Sequence, residues 1–161
     1  SAVVSALATR YLHIKISVVP TGSMEPTIQI KDRIIVCNFS YWFNTVKRGD
    51  IVVFRPTEEV KNTRPADQRN APLVKRVVAM GGETVLIKNG KLYIDGKLQE
   101  EPYVYQEIAE DFGPFTVPEG AYFVMGDNRN NSYDCRKWPT QKYITRDMVI
   151  GKAVYKFGGL K

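Results

Sequence analysis

The stretch that decides the fold is Thr84-Val85-Leu86-Ile87-Lys88-Asn89-Gly90-Lys91-Leu92-Tyr93-Ile94-Asp95-Gly96. Asn-Gly separates two short runs that are rich in apolar residues, and Asp-Gly follows the second run at once. These two dipeptides are the strongest short-range hairpin signals, because they tolerate the positive φ of a tight turn. The stretch therefore predicts two paired strands over residues 84–88 and 91–94.

The same kind of pattern continues along the rest of the chain. Short β-branched or aromatic runs occur at residues 34–36, 51–54, 73–79, 121–125 and 149–157. No segment shows a sustained helical period with caps. The polar residues 57–70 predict a solvent loop, and residues 99–118 predict an irregular, partly acidic insertion. We expect a mostly antiparallel β fold, although the pattern alone does not distinguish a sandwich from a barrel.

Composition narrows the class of protein. The 161 residues amount to one domain, and 43% hydrophobic with 25% charged residues is typical of a globular chain. The sequence contains no zinc pattern, no Gly-rich phosphate loop and no aromatic-basic repeat, so we expect no nucleic-acid partner. The net charge of +6 is diffuse. It indicates solubility first and attraction to a membrane surface second.

The two cysteines, Cys37 and Cys135, allow at most one disulfide and no metal-binding set. A nucleophilic thiol at Cys135 is disfavoured because no histidine lies nearby in the sequence to generate a thiolate. We therefore expect neither a metal nor a cofactor.

A serine and a lysine are the best candidates for nucleophilic chemistry. Ser23 lies in Pro20-Thr21-Gly22-Ser23-Met24-Glu25-Pro26-Thr27, and Lys75 lies in the apolar run 73–79. The only histidine, His13, is in the N-terminal tail, so a Ser-His-Asp triad would take its base from the least anchored part of the chain. A lysine can activate a serine instead if burial lowers its pKa from about 10.4 toward the working pH.

Lys75 is followed by Arg76 in a segment of strand type. Successive side chains of a strand point to opposite faces, so we expect one of the two to face inward and the other outward. The alternative is that Lys75 is an edge-strand lysine that faces water and prevents aggregation. For this segment alone the alternative is favoured, and a third motif reverses that preference.

The third motif is Gly126-Asp127-Asn128-Arg129-Asn130-Asn131-Ser132-Tyr133-Asp134-Cys135-Arg136, which directly follows an apolar run. Together with the Ser-Met-x-Pro-Thr and Lys-Arg motifs, and in this order, it strongly resembles the type I signal peptidases. These are membrane-anchored Ser/Lys proteases that cut signal peptides from exported proteins. Residues 46–54 also resemble the family, and the resemblance spans about residues 18–157.

The resemblance implies a fold and a setting. The fold would be mostly β, with two antiparallel sheets forming the catalytic core, a small cap at about residues 99–118 and few short helices. The enzyme would cut after small residues in an Ala-x-Ala-like motif without a cofactor. It would be held in the bacterial cytoplasmic membrane by a single-pass anchor, with its catalytic domain on the extracytoplasmic side.

The resemblance also implies roles for individual residues. Ser23 would be the nucleophile, Lys75 its general base, and Ser132 the residue that holds the lysine amine. The Ser23 backbone amide and the Thr21 hydroxyl would form the oxyanion hole. The charged residues that brace the site would be Asp127, Asp134, Arg76 and Arg136, and the small substrate pockets would involve Pro20, Met24 and Val74. Each of these three pocket residues could equally be an ordinary core residue, and the charged residues ordinary loop ion pairs.

Three features depart from the family pattern. Cys135 stands where many relatives have serine, and Met80-Gly81-Gly82-Glu83 replaces a commoner Leu-Pro-Gly-Asp. Before the serine motif only Ala2 to Ala8 is apolar, whereas a membrane span needs about 20 such residues. We expect residues 1–10 to be a remnant of, or linker from, a membrane anchor, and residues 11–161 to be one catalytic domain. An ordinary tail is the alternative for residues 1–10.

Partners follow from the same features. Signal peptides of preproteins would be the substrates, and we expect a monomer. The aromatic run Phe39-Ser40-Tyr41-Trp42-Phe43, with Lys47 and Arg48 nearby, predicts a lipid-docking segment, and a buried strand is its alternative.

Two other functions stay open on the sequence. One is a catalytically inactive β module that binds signal peptides or membrane surface. The other is a self-cleaving repressor-type Ser/Lys protease, which would need a DNA-binding helical unit before Ser23.

Overall fold

The computed structural model describes residues 14–38 and 45–158. The predicted anchor remnant at residues 1–10, His13 and the aromatic run 39–43 lie outside the described residues. Within these two ranges no helix is long and apolar enough to cross a membrane.

The described ranges consist mainly of short β-strands. They are β1 Ile14–Val18, β2 Arg33–Cys37, β3 Ile51–Phe54, β4 Leu73–Met80, β5 Thr84–Lys88, β6 Lys91–Ile94, β7 Lys97–Leu98, β8 Phe112–Thr116, β9 Ala121–Met125, β10 Ile144–Thr145 and β11 Val149–Phe157. The helical elements are α1, Glu58–Asn62, and a 3₁₀ helix, Arg146–Met148. The prediction of a mostly β fold is confirmed.

The strands form two antiparallel sheets, as predicted. The larger sheet has the order β1-β2-β11-β3-β4-β9-β10, and the smaller one has the order β7-β6-β5-β8. The hairpin between β5 and β6 turns at Asn89 and Gly90, which both have positive φ, with Lys88 opposite Lys91. The hairpin that the sequence predicts most strongly therefore forms the centre of the smaller sheet.

Strand β4 lies inside the larger sheet, between β3 and β9. Lys75 is opposite Val52 on β3, so the edge-strand alternative for Lys75 is wrong. The expectation that one of Lys75 and Arg76 faces outward is also wrong, because both are buried. Both faces of the strand are covered: the Ser23 turn meets Lys75 on one, while Asp127 and Tyr103 contact Arg76.

Two hydrophobic clusters form the core. The larger joins the two sheets and includes Trp138, whose ring lies 6.1 Å from that of Phe54. The smaller consists of Val19, Met24, Ile28, Ile34, Val36 and Val53. Met24 lies inside the serine motif and Ile28 directly follows it, so this second cluster anchors the turn that carries Ser23.

Two segments are more regular than the sequence suggested. Residues 57–70 are not all loop, because Thr57 caps α1 by accepting a hydrogen bond from the Val60 N–H, and Val60 packs into the core. Residues 99–118 are not irregular throughout, since β8 pairs with β5. The rings of Phe112 and Phe115 lie 5.4 and 5.8 Å from that of Phe123, and this packing stabilises a strand that has no clear alternation.

Candidate active site

Ser23 lies in a compact turn after β1. The Glu25 N–H donates to the Gly22 carbonyl oxygen at 3.1 Å, and the Ile28 N–H donates to the Met24 carbonyl oxygen at 2.9 Å. Because the side chains of Met24 and Ile28 are buried in the smaller hydrophobic cluster, the turn is anchored to the core and Ser23 has little freedom to move.

The Lys75 amine contacts the Ser23 hydroxyl. Nζ of Lys75 lies 2.6 Å from Oγ of Ser23, and Lys75 is only 4% exposed. Burial lowers the pKa of Lys75 to about 8; Asp134 opposes this shift, and Arg136 adds to it. A substantial fraction of the amine is therefore neutral at mildly alkaline pH, and a neutral amine can accept the serine proton.

The two predicted oxyanion donors are the Thr21 hydroxyl and the backbone amide of Ser23. Thr21 Oγ1 lies 3.4 Å from Ser23 Oγ. The Ser23 amide donates no hydrogen bond to any other described residue. The oxyanion role of both groups stays a prediction.

The loop that follows β9 is bound to the Ser23 turn. The Asn128 N–H donates to the Ser23 carbonyl oxygen, and Asn128 Nδ2 donates to the Gly22 carbonyl oxygen, both at 3.0 Å. Gly126 makes this approach possible, because a β-carbon there would lie 2.4 Å from the Ser23 carbonyl oxygen. The position of the loop is thus coupled to the position of Ser23.

Ser132 is buried in this loop. Its hydroxyl makes no hydrogen bond of ordinary geometry within the described ranges, so the predicted bond to the Lys75 amine is not formed here. The hydroxyl is close enough to the Asp134 carboxylate to contribute to the lowered pKa of that group. The role of Ser132 stays a prediction.

The four charged residues that were predicted to brace the site form two buried ion pairs. Arg76 binds Asp127 through Nε and Nη2 at 2.8 and 2.7 Å, and Arg136 binds Asp134 through the same two atoms at 2.8 Å each. Burial alone would raise the pKa of Asp134, but the Arg136 guanidinium holds it below its usual value. The Asp134 carboxylate is therefore charged, and both carboxylates are held rigidly by their two hydrogen bonds to arginine.

Comparison with known proteins decides the family. The family model described as "Signal peptidase, peptidase S26" matches residues 1–157. The chain belongs to the signal peptidase family. This confirms the predicted resemblance and makes the chain a hydrolase of the serine peptidase class.

Relatives in this signal peptidase family cover nearly the whole chain. A signal peptidase I from Leptolyngbya laminosa is 42% identical over 155 residues, which are 96% of this chain and 74% of that protein. Signal peptidase I S from Bacillus subtilis is 37% identical over 167 residues, or 97% of this chain and 83% of that protein. The crystal structure of a signal peptidase I from Enterococcus faecalis is 28% identical, with a TM-score of 0.53, over 69% of this chain and 98% of that one.

The predicted pocket residues of this signal peptidase-family chain are only partly brought together. Met24 is buried, and Val74, which is half-buried, packs against the same small cluster. Pro20 is exposed. The pocket roles of these three residues stay predictions.

Cys135 has no features of a nucleophile. It is fully buried, its Sγ accepts a hydrogen bond from the Val124 N–H at 3.3 Å, and burial raises its pKa well above the usual value. Cys135 and Cys37 are both free thiols. The described residues contain no group of His, Cys, Asp and Glu side chains that could hold a metal ion.

Several residues of the site had no role assigned from the sequence. Asn128 and Arg129 lie inside the motif at residues 126–136. Their position as polar residues in a loop directly after a strand was the signal that could have identified them. Thr27 donates to Asp127 Oδ2 at 2.6 Å and is part of the serine motif. No sequence motif pointed to Glu101 and Tyr103 of the cap as residues of the site, because they approach it only in the folded chain.

Proposed function

We propose that this protein removes signal peptides from preproteins by hydrolysing one peptide bond, with Ser23 as nucleophile and Lys75 as general base. The observation that carries the proposal is the 2.6 Å contact between Lys75 Nζ and Ser23 Oγ, made by a lysine whose pKa burial lowers to about 8. Family membership supports the substrate class, since the relatives are named signal peptidase I.

In the acylation step the neutral Lys75 amine takes the proton of the Ser23 hydroxyl while Oγ attacks the scissile carbonyl carbon. The Ser23 amide and the Thr21 hydroxyl donate to the oxyanion that forms on the substrate. The ammonium of Lys75 then returns the proton to the departing amine, which becomes the new N-terminus of the mature protein. The signal peptide is left as an ester on Ser23.

In the deacylation step the same amine, again neutral, takes a proton from a water molecule as that water attacks the ester. The proton then passes to Ser23 Oγ, and the signal peptide leaves as a carboxylate. Ser132 would accept a hydrogen bond from the Lys75 ammonium between steps. This role is supported by the closeness of Ser132 to the Ser23 turn: a β-carbon on Gly126 would lie 2.3 Å from the Ser132 hydroxyl oxygen and 2.4 Å from the Ser23 carbonyl oxygen.

Specificity for small residues would come from the surface around the serine turn. Met24 and Val74 pack in one cluster directly beside Ser23 and Lys75 in the chain, and Pro20 precedes the turn. Apolar walls close to a nucleophile admit an alanine side chain and exclude larger ones, as cleavage after an Ala-x-Ala-like motif requires.

The enzyme would work as a monomer at the extracytoplasmic surface of the bacterial cytoplasmic membrane. Strand β1 supports contact with lipid, because Ile14, Ile16 and Val18 are 60, 58 and 60% exposed and share one face of an edge strand. The aromatic run 39–43, which lies outside the described residues, stays a predicted lipid contact. Lys47 is exposed, whereas Arg48 is already paired with Glu83 and would add less attraction to anionic lipid.

The test is cleavage of a fluorogenic signal-peptide substrate by the wild type, Ser23→Ala, Lys75→Ala and the double variant. We expect each single variant to lose essentially all turnover and the double variant to lose no more, because residues that act as one unit give non-additive losses. Circular dichroism checks the fold. Turnover in Lys75→Ala comparable to the wild type would rule out the dyad, and an inactive wild type would favour a binding module.

A further inference from the structure

The cap, residues 99–118, is bound to the loop that carries Ser132. Glu101 in the cap accepts two hydrogen bonds from Arg129, at 2.6 Å from Nη1 and 2.7 Å from Nη2. The Arg129 side chain is completely buried and that of Glu101 is 10% exposed. A buried guanidinium needs such a partner, and the cap supplies it, because Asp127 and Asp134 of the loop region are paired with Arg76 and Arg136.

Tyr103 of the cap lies over the residue next to the catalytic lysine. Its ring centroid is 3.7 Å from the guanidinium carbon of Arg76, a cation–π contact, and its hydroxyl donates to Glu101 Oε2 at 3.0 Å. Burial and the charge of Glu101 raise the pKa of Tyr103 to about 12, so the hydroxyl stays a donor. Tyr103 thus links Arg76 to the pair formed by Glu101 and Arg129.

Both arginines act on the start of the loop. Arg129 Nε donates to the Gly126 carbonyl oxygen at 2.9 Å, while Arg76 holds Asp127 through two hydrogen bonds. The next residue, Asn128, binds the carbonyl oxygens of Gly22 and Ser23. A continuous set of contacts therefore runs from the cap to the turn of the nucleophile.

A separate contact adds to this attachment. The Asn130 side chain accepts a hydrogen bond from the Ala109 N–H at 2.9 Å and donates one to the Glu107 carbonyl oxygen at 3.0 Å. Both bonds join the cap to the same loop at a second point, Asn130.

We infer that Glu101 and Tyr103 are positioning residues for the peptidase reaction: through Arg129 and Arg76 they hold the loop 126–132 against the Ser23 turn. The inference rests on the proposed function for its effect on rate. Neither residue contacts Ser23 or Lys75 directly, so both act through the geometry of the loop. Misplacing a catalytic group by about 1 Å from a distant site lowers rates by about a hundredfold.

The test combines steady-state kinetics with hydrogen exchange on Tyr103→Leu, Tyr103→Phe, Glu101→Gln and Glu101→Asp. We expect Tyr103→Leu and Glu101→Gln to lower kcat by about 10- to 100-fold with KM nearly unchanged. Tyr103→Phe keeps the ring over Arg76 and should stay within about threefold of the wild type. Glu101→Asp keeps the charge but shortens the side chain, and should lower kcat in a fully folded protein.

Matched controls come from the same segment. Tyr105→Leu and Glu100→Gln change exposed neighbours of the same residue types and should leave kcat unchanged. All assays are made well below each unfolding temperature, so that loss of folded enzyme does not mimic loss of rate. If Tyr103→Leu and Glu101→Gln match these controls in kcat, or change only KM, the inference is overturned.

Hydrogen exchange separates this inference from the proposed function. Faster exchange of the Asn128 amide in Tyr103→Leu and Glu101→Gln, with β5 and β6 unaffected, supports the positioning role even if the wild type does not cleave the peptide. Unchanged exchange at Asn128 would contradict it whatever the activity. Should Tyr103→Leu fail to fold, Glu101→Asp provides the same two measurements.

Discussion

Gly126 lies so close to Ser132 that a β-carbon at residue 126 would be 2.3 Å from the Ser132 hydroxyl oxygen. The same β-carbon would be 2.4 Å from the Ser23 carbonyl oxygen. Real β-carbons essentially never approach heavy atoms so closely. Residue 126 is therefore required to be glycine, because there is no space for a side chain between Ser132 and the Ser23 turn.

Gly126→Ala should consequently separate the loop from the Ser23 turn. We expect a loss of about a hundredfold in kcat/KM, since the misplacement occurs at the reacting groups themselves. Gly158→Ala is the matched control, because a β-carbon there meets nothing within 4 Å. Peptide cleavage and the unfolding temperature are measured for both. An activity of Gly126→Ala within about threefold of the control would contradict this role of the glycine.

The pH dependence of kcat/KM reports the state of Lys75. In the proposed mechanism the neutral amine is the active form, and its pKa is about 8, so the rate should rise with pH and level off above about pH 8. Lys75→Arg should be inactive across the range, since a guanidinium does not lose its proton near neutrality. A rate that peaks below about pH 6 would point to carboxylate chemistry instead.

Burial of Lys75 should also make stability depend on pH. The pKa is 10.5 in the reference state and about 8 in the folded protein, so between these values the unfolded chain binds a proton that the folded one does not. The free energy of unfolding should rise by about 3 kcal/mol as pH increases through this window.

The Lys75→Met variant has no titratable group at residue 75, so its free energy of unfolding lacks this pH dependence. The amount by which it exceeds that of the wild type should be largest near pH 7 and shrink toward pH 10. Urea unfolding at several pH values measures the difference. Lys97→Met, at an exposed position, is the control. A constant difference for Lys75→Met would mean that Lys75 is charged in the folded state.

Thr21→Val tests the predicted oxyanion donor. Removal of one such donor typically lowers kcat by about 10²–10³, and valine preserves the shape of threonine without its hydroxyl. Thr21→Ser retains the hydroxyl and should remain active. If Thr21→Val loses less than about twofold in kcat, the oxyanion is stabilised by other groups.

Membrane docking can be measured with vesicles that contain anionic lipid. We expect Ile16→Ser on β1, and Trp42→Ser combined with Phe43→Ser, to weaken vesicle binding without slowing cleavage of a short soluble peptide. Leu98→Ser changes an equally exposed apolar residue on the smaller sheet and should bind as the wild type does. Unchanged binding of the first two variants would show that lipid contacts lie elsewhere.

The sequence by itself determined the local elements of secondary structure, which depend on residues close together in the chain. The hairpin of β5 and β6 follows from alternating residues around Asn89 and Gly90, and the other predicted strands follow from short β-branched runs. The residues of the candidate site were predicted from the resemblance to the signal peptidases, because Ser23, Lys75 and Ser132 lie in three motifs that resemble those of the family and occur in the same order. Family membership was accessible for the same reason.

Only the tertiary structure decided how those motifs meet and what surrounds them. Lys75 reaches Ser23 across 52 positions of sequence because β4 lies inside the larger sheet and the second cluster holds the serine turn. Its lowered pKa is a consequence of burial, which no local pattern reveals. The same is true of the burial of Arg76 and of its contact with Tyr103: both depend on long-range packing of the cap, and packing is a property of the whole fold.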